Sequence, residues 1–318
     1  MLFFYLLVFI LACVVLVRSG TLTVRSLTRI AQFLEWKEFV VAAILMAFVT
    51  SLPEFFVGLS SAFHHRPQLS FGNIIGANII NLTLVIGIGV WLAKELRFEG
   101  RVLQRSSLFA GICALLPLLL MLDGKISRID GVILLLALIF YFQRLIRQEE
   151  RFTRIFSNKF KREWSQFKLF LRDLGLFLFG VGLLLLSAET IVRSASALAN
   201  ELNFPLVLIG LLLVALGTTL PEITFGIKSI ALGHRELILG NTLGSVVVNS
   251  TLILGMVALI SPFEIPNFSP YFTGIIFTLA TVLFFSLFIR TGQSVTRREA
   301  LILFLVYILF VLAELFLK

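Results

Sequence analysis

Charge is scarce in this chain. Only 14% of its 318 residues are Asp, Glu, Lys or Arg, whereas 58% are hydrophobic, against about 25% and roughly 45–50% in an ordinary soluble domain. That balance excludes a soluble globule. At about 20 residues per bilayer crossing, the apolar residues furnish on the order of nine or ten transmembrane helices and leave no room for a separate soluble domain. Cysteine is nearly absent: Cys13 and Cys113 each sit in an apolar run and form no disulfide scaffold. Histidine is equally rare. His64, His65 and His234 fall at predicted helix ends beside Arg66 and Arg235, where they read as solvated interfacial residues. The apolar start, Met1 to Val17, has no basic n-region and no small-x-small site before Arg18, so it reads as a retained first helix and not as a cleaved signal.

What is there is a succession of apolar segments near 2–24, 38–63, 71–93, 106–123, 130–148, 168–193, 204–233, 236–260, 270–290 and 299–317. Stretches such as Gly131–Phe142 and Leu174–Leu186 are apolar on every face, as a lipid-facing or buried helix requires, and lack the alternation of barrel strands. The predicted fold class is an all-α membrane protein of ten transmembrane helices. The formal charge of +9 does not point to nucleic acid, because the cations sit in the short gaps between apolar runs. Assigned alternately to the two sides, 21 of the 27 Lys and Arg fall on one side and five on the other. The positive-inside rule puts the richer side in the cytoplasm of a plasma (inner) membrane and both termini outside. The basic stretch from Arg144 to Arg172 then reads as a cytoplasmic linker and orientation signal.

The chain repeats itself at an offset of 168. Thr50-Ser51-Leu52-Pro53-Glu54 returns as Thr218-Thr219-Leu220-Pro221-Glu222, and GNIIGANIIN (72–81) returns as GNTLGSVVVN (240–249). The same offset carries Val24-Arg25-Ser26 onto Val192-Arg193-Ser194 and Ala47 onto Ala215 without a gap. This divides the chain into a first five-helix repeat (1–150), a linker (151–167) and a second repeat (168–318). Five is odd, so the second repeat is inverted. In inverted-repeat transporters the site lies near the midplane, on helices interrupted by Pro or Gly. Pro53 and Pro221 are such interruptions, and each frees carbonyls one turn earlier, near 47–49 and 215–217.

Glu54 and Glu222 follow those prolines in the body of apolar helices, where an ionised carboxylate is costly unless paired or ion-bound. Lys228, the nearest basic residue in either helix, is on another face. Asn73, Ala77 and Asn81 are spaced i, i+4, i+8, as are Asn241, Ser245 and Asn249, so each set forms one stripe. Thr50 shares a face with Glu54, and Thr218 with Glu222. Gly72/Gly76 and Gly240/Gly244 have the small-xxx-small spacing of closely approaching helices. The donors are hard oxygens with no His or Cys among them, which excludes zinc and copper. Two negatives balance one divalent cation, and mixed carboxylate, amide and carbonyl ligands favour calcium over magnesium. Glu189 and Glu314 are further carboxylates inside helices. Glu189 has no acidic counterpart in the first half and is a candidate for a proton or ion path.

The doubled motifs TSLPE with GNIIGANIIN and TTLPE with GNTLGSVVVN closely resemble the α-repeats of the calcium/cation antiporter superfamily, most of all its prokaryotic sodium/calcium exchangers. The resemblance implies alternating access, with helices 1 and 6 sliding against a rigid bundle, and exchange of external monovalent ions for cytosolic calcium. It implies that Glu54 and Glu222 bind calcium and sodium. It assigns carbonyls of Thr50 and Thr218 to calcium and those of Ala47 and Ala215 to sodium, and it places Ser51 and Thr219 in the same pocket. Two positions depart from the pattern: Asn249 stands where an aspartate is usual, and Ala77 where a serine serves one sodium. Proton/calcium members manage with two glutamates, but around a GN-A-x-E sequence absent here.

The expected function is thus a calcium/sodium antiporter, with protons as the alternative counter-ion and magnesium or another divalent as the alternative cargo. Its partners are the transported ions and the lipid bilayer, with no nucleic acid and no resident cofactor. An intramembrane protease would need a serine with a membrane-embedded histidine, or paired aspartates, and is not expected. A passive channel would conduct without a counter-ion.

Overall fold

The computed structural model describes residues 1–33, 47–97, 101–149, 164–231, 235–292 and 294–316. Segment 38–46, most of the linker (151–163) and His234 lie outside the described residues. In chain order the helices are α1 (Leu2–Phe33), α2 (Leu52–Phe63), α3 (Pro67–Ala93), α4 (Arg101–Leu120), α5 (Arg128–Glu149), α6 (Trp164–Leu202) and α7 (Leu206–Ile209, then Gly210–Val214 and Ala215–Thr218). There follow α8 (Leu220–Ala231), α9 (Arg235–Val248, Asn249–Ile253 and Leu254–Ile260), α10 (Ser269–Gly292) and α11 (Arg297–Phe316). Among the described residues seven helical stretches are long and apolar enough to cross a bilayer. Apolar side chains such as Phe3, Leu119, Leu136, Phe179, Leu283 and Leu305 stand exposed along α1, α4, α5, α6, α10 and α11. Such a surface needs lipid around it, and the chain is an integral membrane protein.

α3 and α9 are the most buried of these stretches and form the centre. Each is interrupted by a π-helical turn, Asn81–Val85 in α3 and Asn249–Ile253 in α9, and a third such turn, Gly210–Val214, precedes Ala215. α3 lies tightly against α7. A Cβ on Gly72 would collide with the carbonyl oxygen of Val207, one on Gly76 with that of Leu211, and one on Gly210 with that of Leu69. The small-residue spacing in the first half therefore marks a helix crossing where backbones touch.

α1 and α6 are longer than their sequence segments. At 32 and 39 residues they run about 48 and 58 Å at 1.5 Å per residue, well beyond a hydrocarbon core of about 30 Å. They pack antiparallel, since Arg29 pairs with Asp173 (3.1 Å) while the Thr23 hydroxyl meets the backbone at Gly180. Asp173 is buried, and Arg172 adds a second cation at 3.6 Å. This ion pair lets two charged residues lie within long apolar helices and ties α1 to α6.

Two short antiparallel ribbons close the ends. β1 (Glu95–Arg97) pairs with β4 (Ser294–Thr296), and β2 (Lys125–Ile126) with β3 (Phe263–Glu264). The register sets Leu96 opposite Val295 and Ile126 opposite Phe263. Each ribbon thus joins the chain after a central helix to the chain before a peripheral helix of the other half. α5 and α11 both start with a capping box: Asp130 accepts from the amide and hydroxyl of Ser127 (both 2.7 Å), and Glu299 from those of Thr296 (2.7 and 2.8 Å). These boxes are 169 residues apart, so the ungapped offset of 168 slips by one outside the motifs.

Candidate ion site

The helix carrying TSLPE breaks at Ser51, and the one carrying TTLPE breaks at Thr219. Both residues have similar backbone angles, φ −82° and ψ 5° at Ser51 and φ −81° and ψ −3° at Thr219. The cause is local: Pro53 and Pro221 lack an amide hydrogen, so the fourth residue back, Val49 or Gly217, loses its helical donor. Proline is suited to the first turn of a helix, and new helices start at Leu52 and Leu220.

This corrects one expectation. Glu54 and Glu222 lie in the first turns of α2 and α8, where the positive end of the helix dipole favours a carboxylate, and not in the body of continuous helices. The freed carbonyls are also fewer than expected. Ala47 keeps its helical bond from the Ser51 amide (3.2 Å), and Ala215 keeps that from Thr219 (3.1 Å). The carbonyl of Ala215 accepts the Thr219 hydroxyl as well.

Both glutamates are completely buried. None of their four carboxylate oxygens makes a hydrogen bond of full geometry, although the Thr218 hydroxyl lies near Glu54 and the Thr50 hydroxyl near Glu222, and the two carboxylates act on one another electrostatically. Around them the halves interlock. Thr50 donates to the Asn241 amide oxygen (3.1 Å), and Thr218 donates to that of Asn73 (3.1 Å). Thr50 is also 3.2 Å from the Ser245 hydroxyl. Ala77, the residue in register with Ser245, offers nothing comparable to Thr218.

Asn73 and Asn241 each accept one hydrogen bond from a threonine of the other half, and their amide nitrogens have no hydrogen-bond partner. Asn81 and Asn249 differ. They are fully buried at the starts of the two π-turns, and neither their oxygens nor their nitrogens are partnered. Ser51 likewise has a buried hydroxyl without a partner. Four carboxylate and two amide oxygens make six hard donors, the lower end of what calcium takes. No group of three or more His, Cys, Asp or Glu that could hold a metal ion occurs among the described residues.

Sequence reasoning missed Asn78, which is buried and donates to the Ser250 hydroxyl (2.7 Å). It sits one residue off the Asn73–Asn81 stripe, so periodicity alone could not find it. Glu189 accepts from Ser60 (2.7 Å) and Arg193 (2.6 Å) and pairs with His64 (3.0 Å), an inter-helix cluster at the surface. His64, exposed as expected, is thereby engaged.

The family pattern of the sodium/calcium exchanger protein matches residues 4–146 and 173–316. The chain belongs to this family. It is 34% identical over 105 residues to the inner membrane protein YrbG of Escherichia coli, covering 32% of each chain. It is 31% identical over 100 residues to the sodium/calcium exchanger MaX1 of Methanosarcina acetivorans, covering 31% of this exchanger-family chain and 28% of that protein. The matched stretches thus span about a third of these curated relatives. A solved structure of the sodium-calcium exchanger NCX_Mj, soaked with 10 mM Na+ and 10 mM Sr2+, aligns over 100% of both chains with a TM-score of 0.67 at 25% identity.

Proposed function

We propose that this exchanger-family protein exports calcium against inward sodium, by alternating access at one site shared by two inverted five-helix repeats. The carrying observation is the pair of buried carboxylates without a hydrogen bond of full geometry, one from each half, set at the starts of broken helices. An inverted repeat is supported by the matched π-turns, the matched breaks at Ser51 and Thr219 and the reciprocal ribbons. Ten crossings put both termini outside and the basic linker in the cytoplasm of a plasma (inner) membrane, with residues 1–150 and 168–318 as the repeats.

Glu54 and Glu222 bind calcium and sodium in turn, with the oxygens of Asn81 and Asn249 completing the shell. Ser51 and Thr219 line it, and backbone carbonyls of Ala47, Thr50, Ala215 and Thr218 supply further ligands. Asn73, Asn241 and Ser245 hold the threonines. Because the carboxylates are shared, calcium and monovalent ions exclude one another, and that competition couples the fluxes. Calorimetric titration tests this: about tenfold weaker calcium binding, equivalent to about 1.4 kcal/mol, is expected when sodium replaces a large inert cation. Calcium binding indifferent to both sodium and pH would contradict a shared site.

Asn249 and Ala77 favour a second reading, in which two protons on Glu54 and Glu222 replace sodium. Asn249→Asp separates the two. An added carboxylate beside the cations is expected to lower the sodium concentration that half-saturates exchange by about tenfold, again about 1.4 kcal/mol. An unchanged sodium response, measured as the initial rate of calcium uptake, would count against a sodium role for this position.

A further inference from the structure

We propose that His64, Ser60 and Glu189 form a proton-binding latch that ties α6 to α2 and closes when His64 is charged. Its structural part stands on the cluster's geometry, and only its effect on transport rests on the exchanger reading.

The His64 Nδ1 lies 2.8 Å from the Ser60 carbonyl oxygen, and its Nε2 lies 3.0 Å from the Glu189 Oε1. Both neighbours are acceptors when Glu189 is ionised, so this geometry is fully satisfied only by an imidazole with a hydrogen on each nitrogen, which is the cation. Loss of one proton turns a ring lone pair toward a carbonyl or carboxylate oxygen, and a bond becomes a repulsion. Two side chains bridge the helices, His64 and Ser60, the latter donating to Oε2 at 2.7 Å. Arg193 is on the same helix as Glu189 (Nε to Oε1, 2.6 Å) and orients the carboxylate without bridging. Deprotonation thus removes one of the two polar tethers and leaves in place the apolar cluster that Val57 shares with Leu184, Ala188 and Ile191.

The remaining neighbours do not replace the histidine. His65 and Arg66 follow it in the chain, while α3 and residues 249–260 of α9 have no charged or histidine side chain where they pack on α2. α1 carries Arg18, Arg25 and Arg29 besides Tyr5 and Cys13, and Arg29 is paired with Asp173. The His64 and Glu189 side chains are 34% and 33% exposed, and His64 stands at the end of its helix. At the positions 168 residues away from Ser60 and Glu189 stand Lys228 and Thr21, which cannot repeat the cluster. The latch is consequently one-sided, and on the proposed orientation it faces outward. Through Arg29–Asp173 it restrains α1 as well as α6.

Histidine changes charge between about pH 5 and 8, so spin labels at the exposed positions of Phe63 and Leu186 should report the latch by electron paramagnetic resonance distance in lipid nanodiscs. In the wild type, the short-distance population relative to the long is expected to rise about two- to fivefold from about pH 8 to about pH 6, as for a partly exposed ion pair. His64→Gln and Glu189→Gln are expected to abolish the response, while His65→Gln retains it. No pH response in the wild type, or one that survives His64→Gln, would overturn the latch. The labels need no ion gradient, so failure of transport would overturn the exchanger reading and leave this result standing. In liposomes the companion expectation is calcium uptake slowed about two- to fivefold by external acid in the wild type and not in His64→Gln. Equal slowing of both would overturn the latch's role in transport.

Discussion

Glu54→Gln and Glu222→Gln should each lower calcium affinity by about a hundredfold and abolish exchange. Removing one partner of a buried charge interaction costs about 2–5 kcal/mol, and about 1.4 kcal/mol is tenfold. Here the partner is the cation, because only the neutral hydroxyls of Thr218 and Thr50 stand near the two carboxylates and neither makes a bond of full geometry. The same substitution removes a buried charge that is uncompensated when calcium is absent, so the folded protein should be no less stable without calcium than the wild type. Calcium-dependent thermal stabilisation separates these effects: the variants should unfold at or above the wild-type temperature without calcium and gain less than the wild type when it is added. Normal exchange in either variant would remove that glutamate from the site.

The largest effect expected on stability comes from the crossing of α3 and α7. Gly76→Val, like Gly72→Val, drives a side chain into a backbone carbonyl, which cannot swing away as a side-chain tip would. Separating the helices is expected to cost about 3 kcal/mol, the upper end for overpacking, and to lower the unfolding midpoint by about 5 °C. Gly182→Ala in α6, whose new Cβ meets nothing within 4 Å, should be neutral or stabilising by up to about 1 kcal/mol, since alanine suits a helix interior better. Thermal unfolding of the three variants in one detergent checks the contrast. Equal midpoints would mean that the contact at Gly76 is not tight.

Much of this was written in the sequence because membrane helices advertise themselves. Every predicted apolar segment overlaps a described helix, and the doubled motifs fall on the two breaks and the two central helices. The ends of α1 and α6 were less visible. Arg25 and Arg29 look like the limit of a hydrophobic segment until Arg29 and Asp173, 144 positions apart, are seen to pair. The stripe rule found Asn73 and Asn241 but not the threonine that each one meets, since that depends on which distant side chain faces the amide oxygen. Likewise the π-turns have no periodic signature of their own, although two of the three begin at the asparagines that the stripes single out. Glu189 looked like an isolated charge because Ser60 and His64 reach it from another helix.

The central claim is obligatory exchange, and uptake of radioactive calcium into liposomes holding the purified protein tests it most directly. An outward sodium gradient is expected to drive uptake that stops when the gradient is removed. Uptake driven only by an outward proton gradient would assign the same site to protons, in keeping with Asn249 and Ala77. Calcium entry at equal rate with neither gradient would contradict the account, since a channel needs no counter-ion.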